Sequence, residues 1–279
     1  DGVLSVVAIF AKDEEGSTSN SDAGTAGYNR FLAMARDSLT AGGASVQTIP
    51  AEFPANPGTK VPYVVFDATL GDGAKVHVDV MLVDGVRGQD ALFEQHYTAL
   101  STTADVLIYG GHSVFGRNIR AIAAKSEFVA GKYQLFFMNG CDTFAYIDKA
   151  IWERKAAASP DDPSGTRYLD MIVNLMPSGF DTTPYSEMAV IDALISKTSP
   201  QNYEDILQKI DRSQVVVVVG EEDNEFAPAV DQTLWTGERV IDRVGPGGEA
   251  SLRTATLAKG AYTFTLEPDP TATIGGYRV

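Results

Sequence analysis

Short apolar runs alternate with amphipathic stretches along the chain as far as Gly220. Val3–Ala11 (VLSVVAIFA) and residues 106–109, 133–138 and 214–219 are rich in β-branched or aromatic residues and bounded by polar or turn-forming ones, the pattern of buried strands. Residues 63–70 and 74–83, joined by Gly71-Asp72-Gly73, predict a β-hairpin whose second arm alternates and then becomes continuously apolar. Residues 45–49 predict a short strand, and 168–176 a further strand or a buried short segment. Between these runs, Tyr28, Phe31, Leu32, Ala35 and Leu39 fall at helical spacing. Further helices are predicted over 89–100, 118–125, 144–158, 185–197 and 203–210. From Phe226 the helical periodicity stops, and short strands over 234–244, 250–257 and 261–266 are separated by Gly-rich turns. The pattern predicts an α/β domain with a mostly parallel sheet over 1–225, then a small all-β domain over 226–279.

The run from Ala104 to Thr143 organises the rest. Its two strands flank a stretch of good helix formers at 118–125. Such a β-α-β unit makes the strands parallel neighbours. Their C-terminal ends then share one edge of the sheet, where open α/β sheets bind ligands. The first strand runs into Gly110-Gly111-His112-Ser113, the second into Asn139-Gly140-Cys141-Asp142-Thr143. The pattern therefore brings His112 beside Cys141, the single cysteine of the chain. Imidazole and thiol form a base–nucleophile pair for covalent catalysis, because the thiolate is the attacking species. Taken alone, one cysteine reads as a small buried apolar residue and one histidine as a hydrogen-bonded structural one. It is their joint placement that points to chemistry. The helix predicted over 144–158 starts just after Cys141, and a helix N-terminus beside a thiol favours the thiolate.

These motifs resemble those of the caspase-like (clan CD) cysteine peptidases, in which one hydrophobic strand ends in His-Gly and another in Cys. Gly110-Gly111-His112-Ser113 is similar to the gingipain-type Gly-His-Gly, and Gly140-Cys141-Asp142-Thr143 to the Ala-Cys-(Glu/Asp)-Thr of CHAT-domain proteases. The short interval between His112 and Cys141 is also nearer the gingipain arrangement. The resemblance implies a three-layer α/β/α sandwich around a caspase-like sheet, and a cysteine endopeptidase acting on polypeptides through a His112–Cys141 dyad, with no third member assigned. It implies an oxyanion hole built from the backbone amides of Ser113 and Cys141. Ser113 stands where the family has Gly: the amide is kept, while the side chain narrows the cleft. The alternative is therefore a catalytically inactive caspase-like scaffold that binds peptides or proteins. Acyl transfer or thioester hydrolysis on a small molecule is a third reading, since the same dyad can run it.

In the fold that the resemblance implies, the strand after the cysteine strand also ends at the cleft, which makes Ser178 and Asp181 candidate substrate-binding residues; Gly111, which leaves room for a substrate backbone, and the acidic Asp142 and Glu221 are further candidates. An acidic residue among them in the first specificity pocket implies cleavage after Arg or Lys. Residues 258–266 are similar to the last hairpin of bacterial pre-peptidase C-terminal β-domains, which accompany secreted peptidases. This implies a secreted, periplasmic or cell-surface bacterial setting.

Composition narrows the alternatives. With 44% hydrophobic and 21% charged residues, the chain has the make-up of a globular protein with a substantial core. A formal charge of −15 argues against a basic footprint for nucleic acid or anionic membranes. No apolar run is long enough to predict a membrane span, and the N-terminal residues do not read as a signal peptide. One cysteine excludes an intramolecular disulfide and a cysteine-cluster zinc site, and His77, His96 and His112 lack metal-ligand spacing. No cofactor is implied. The acidic loop after the first strand, with Asp13, Glu14, Glu15 and Asp22, carries oxygen ligands suited to calcium, but without a regular calcium-loop spacing the plainer reading is a solvated loop.

Overall fold

The computed structural model describes residues 2–88, 90–196, 199 and 201–221. The chain divides into two units, Asp1–Asn224 and Glu225–Val279, and the described residues belong to the first. The strands predicted beyond Phe226 lie outside the described residues.

The apolar runs form an eight-stranded sheet in the order β2-β3-β4-β1-β5-β6-β7-β8. These strands are β1 (Val3–Ala11), β2 (Ser45–Ile49), β3 (Tyr63–Thr69), β4 (Lys75–Val83), β5 (Val106–Gly110), β6 (Gln134–Asn139), β7 (Leu169–Asn174) and β8 (Val216–Val219). The central strands β4, β1, β5, β6 and β7 pair in parallel. The predicted hairpin β3–β4 and the edge strands β2 and β8 pair antiparallel.

Among the described residues there are six α-helices: α1 (Ala23–Thr40), α2 (Ala91–Thr103), α3 (Arg117–Lys125), α4 (Lys149–Ala158), α5 (Thr183–Ile195) and α6 (Tyr203–Leu207). They cover both faces of the sheet. Tyr28, Phe31 and Leu32 of α1 join Met188 and Ile191 of α5 and Ile206 of α6 over one face, against Val6, Ala8 and Phe10. Phe93 and Tyr97 of α2, Ile119 and Ile122 of α3 and Ile151 of α4 cover the other, against Val7, Ile9 and Leu107. Because β1 and β5–β7 are buried on both sides, they read as continuous apolar runs with no alternation.

Two helix expectations change. Helix α1 starts at Ala23, several residues before the periodic stretch, because Asp22 caps it: its carboxylate accepts from the Thr25 amide at 2.8 Å. The stretch 144–158 is not one helix. A tight turn over Thr143–Tyr146 is followed by α4, which begins at Lys149 with its own cap, Asp148. No α-helix therefore begins at Cys141, and the macrodipole argument for its thiolate falls away.

His77 is half-buried between two carboxylates. Its Nδ1 lies 2.7 Å from Asp67 Oδ1 and its Nε2 2.9 Å from Asp79 Oδ2. His96 stacks on the Tyr63 ring at 4.7 Å.

Candidate active site

The order of the strands fixes where a site can form. After β1 the chain moves to the edge strand β2 and returns inward through β3 to β4, beside β1, and then crosses to β5 on the other side of β1. The β1/β5 boundary is thus a topological switch point, and its C-terminal edge is the ligand crevice of an open α/β sheet. The loops leaving β1, β5, β6 and β7 all emerge there, carrying Asp13, His112, Cys141 and Ser178.

The loops of His112 and Cys141 are joined directly. Gly111 N–H donates to the Asn139 carbonyl at 3.1 Å, extending the β5–β6 ladder past its last strand pair. A Cβ at Gly140 would lie 2.5 Å from the Gly111 carbonyl oxygen and 3.5 Å from the Ser113 nitrogen. Only glycine permits that approach, so Asn-Gly-Cys reflects the packing of one loop on the other. Gly111 itself is buried, with its α-carbon against Ala11 and the Tyr109 hydroxyl. It joins the loops instead of offering a surface to a substrate.

His112 is held from two directions. Its carbonyl accepts from Tyr109 Oη at 2.8 Å and from Asn118 Nδ2 at 2.7 Å, both buried donors. Its exposed imidazole meets Asp13 Oδ1 through Nε2 at 2.8 Å and packs edge-on against the Phe180 ring at 5.0 Å. The pair is about half exposed on each side, and such an ion pair is worth only about 0–1 kcal/mol. Its main consequence is the orientation of the ring, with Nε2 engaged and Nδ1 left for other chemistry. Asp13 is held in turn by Asp22, whose carboxylate accepts from the amides of Asp13 and Glu14 as well as Thr25. Burial works against ionisation of Asp22, but those three amide donors outweigh it and hold the carboxyl below its ordinary range.

Cys141 is partly exposed, and its Sγ contacts the Ser178 carbonyl at 3.6 Å. Asp142 follows in the left-handed region at φ +53°, with its amide on the Met176 carbonyl at 3.3 Å. Among the described residues, neither the Ser113 amide nor the Cys141 amide donates to another group. Ser113 is buried and its carbonyl accepts from Asn118 N at 3.2 Å, which keeps its backbone fixed.

The candidate residues therefore separate. His112, Ser113, Cys141, Asp142 and Ser178 belong to one loop cluster. Asp181 is exposed on the same β7–α5 loop as Ser178, with its carboxylate turned back toward Gly179. Glu221 belongs elsewhere. Strand β8 runs antiparallel to β7, pairing Val219 with Met171, and Gly220 packs on the carbonyl of Leu169. Glu221 thus sits at the N-terminal edge of the sheet, opposite Cys141, and is not placed to line the cleft.

The acidic loop is committed to protein partners: Asp13 to His112, Glu15 to Arg87 and Asp22 to backbone amides. Among the described residues there is no group of three or more side chains arranged to hold a metal ion, and no helix is long and apolar enough to cross a membrane.

Asp13 is the partner that sequence reasoning missed. The signal was present: a strand parallel to β5 must end at the same edge, so a carboxylate just past β1 is a candidate partner for His112. Beneath the site, Glu187 of α5 is fully buried with neither carboxylate oxygen bonded among the described residues, its Oε1 against Gly110. Burial raises its pKa well above the ordinary carboxylate range, which favours its neutral form.

Neither a scan against protein-family models nor a search of curated proteins gives a match.

Proposed function

We propose that this chain is a cysteine endopeptidase with a caspase-like α/β/α fold, in which Cys141 is the nucleophile and His112 its acid–base partner. The observation that carries the reading is the junction of the two loops: the Gly111–Asn139 hydrogen bond and the close approach of Gly140 to the Gly111 carbonyl. In this reading the Cys141 thiolate attacks a peptide carbonyl, and His112 takes up the thiol proton and delivers it to the leaving amine. The amides of Ser113 and Cys141 receive the oxyanion, the contribution usually largest in acyl transfer. Asp13 orients the ring and stabilises the imidazolium, so the dyad gains a third, orienting member. Water then releases the acyl group by the reverse proton traffic.

A second reading, a scaffold that binds peptides without cleaving them, is favoured by one contact. The contact of Sγ with the Ser178 carbonyl turns the thiol toward the β7–α5 loop. Hydrolysis of an unbiased fluorogenic peptide library separates the two. The peptidase reading expects turnover by the native chain and none by Cys141→Ala or His112→Ala. Binding without turnover by the native chain supports the scaffold.

A further inference from the structure

Immediately after His112-Ser113 the backbone takes an uncommon course. Val114, Phe115 and Gly116 adopt φ of +48°, +51° and +80° in succession. For a β-branched residue such as Val114 the left-handed region is an outlier, and strained backbone of this kind persists where the surroundings over-determine it, typically at functional sites. Here the surroundings are visible. Tyr109 and Asn118 clamp the His112 carbonyl, Arg117 N donates to the Val114 carbonyl at 3.1 Å, and a Cβ at Gly116 would strike the Tyr146 ring at 2.8 Å. The result is that Phe115 stands 84% exposed beside the candidate site.

It is not alone. Phe144, on the turn after Cys141 that carries Tyr146, is 47% exposed, while Leu175 and Met176, just past β7, are 41% and 53% exposed. Met176 is bonded through its carbonyl to the amide of Asp142, the residue after the cysteine. Large apolar side chains are thus exposed on the loops that follow β5, β6 and β7, at the sheet edge that carries the thiol, and the last two of these loops are tied to one another through Asp142 and Met176. Single exposed apolar residues need no explanation; several gathered at one edge mark an interaction surface. The amides of Ser113 and Cys141, neither of them bonded to another group among the described residues, belong to the same loops.

We infer that Phe115, Phe144, Leu175 and Met176, on the loops that follow β5, β6 and β7, are specificity-determining residues that seat large apolar side chains of an extended polypeptide whose carbonyl meets the Ser113 and Cys141 amides. This rests on the peptidase reading for the chemistry, but the binding preference stands apart from it. It also differs from the basic specificity expected of an acidic pocket, for which Glu221 is out of place.

The test uses the full chain carrying Cys141→Ala, and fluorescence anisotropy of three labelled peptides of equal length, whose central residues are Phe-Leu, Ser-Thr or Lys-Lys. The Phe-Leu peptide binds roughly tenfold or more tightly than the others. Adding Phe115→Ser or Met176→Ser, both at exposed positions that the core does not need, removes most of that advantage. Equal affinity for all three peptides, no measurable binding, strongest binding of the Lys-Lys peptide, or affinity unchanged by Phe115→Ser each overturns the inference. Apolar-selective binding with no turnover by the native chain removes the peptidase reading and keeps the subsites. Turnover of Lys-Lys peptides in preference to Phe-Leu does the reverse.

Discussion

His112 Nε2 lies 2.8 Å from Asp13 Oδ1, although the two residues are 99 positions apart. The contact exists because β1 and β5 are parallel neighbours whose C-terminal loops share the switch-point edge. If Asp13 orients the imidazole, Asp13→Asn lowers kcat by about a hundredfold or more, in the range of general acid–base contributions, and leaves KM and thermal stability nearly unchanged. A merely structural role would reverse that balance. Steady-state kinetics beside a melting curve decides between them.

Replacing Gly140 by Ala pushes a methyl group into the Gly111 carbonyl. Overpacking of this kind costs about 1–3 kcal/mol and separates the two loops. The expected outcome is a loss of peptidase activity larger than the loss of stability would cause, read at a temperature where the variant is fully folded by circular dichroism.

Much of this architecture was legible. Continuous apolar runs marked the central strands, because burial on both faces removes any alternation. The Gly-Asp-Gly break marked the β3–β4 hairpin, and the Gly-Gly-His-Ser and Asn-Gly-Cys ends were located by the β-α-β rule alone. What failed did so for identifiable reasons. A run of valines at β8 carries no information on strand direction, so Glu221 was assigned to the wrong edge of the sheet. Helix formers on both sides of Asp148 hid a break that the cap residue itself signals. Asp13 was read from the composition of its loop, as one of several acidic residues, when the informative property was the edge at which β1 ends.

Glu187 gives a pH dependence with a definite sign. Its folded-state pKa is raised by burial from the ordinary 4.5. Above about pH 4.5 the unfolded chain therefore releases a proton that the folded chain keeps, and stability falls as pH rises toward the folded-state value. Against Glu187→Gln, the native chain loses relative stability progressively as pH rises above about 4.5. Chemical denaturation of both proteins across that range shows the difference, and parallel curves would refute the neutral, buried assignment.

His77 acts in the opposite sense to a buried neutral base. Burial alone would lower its pKa, but the hydrogen bond to Asp67 and the charges of Asp79 and Asp67 outweigh that and raise it. The stability it contributes is fully present below its unfolded value of about 6.5 and is lost as pH rises through the folded-state pKa. Melting temperatures of the native chain and His77→Gln therefore converge on going from pH 6 to alkaline pH. A gap that stays constant would show that the Asp67–His77–Asp79 contacts carry no charge.

Asp22 links the fold to the site, since one carboxylate caps α1 and holds the Asp13 loop. Asp22→Ala costs about 1 kcal/mol of stability, as loss of a helix cap does, and lowers kcat through Asp13. Combined with Asp13→Asn, its effect on kcat is less than additive. Full additivity would separate the cap from the site.

The most direct measurement is covalent labelling of the native chain with a peptidyl acyloxymethyl ketone, located by mass spectrometry of the digested protein. A His112–Cys141 pair gives one time-dependent adduct, on Cys141, formed at least about a hundredfold more slowly in His112→Ala. Labelling of Cys141 at the same rate in both proteins would contradict the pairing of thiol and imidazole on which the account stands.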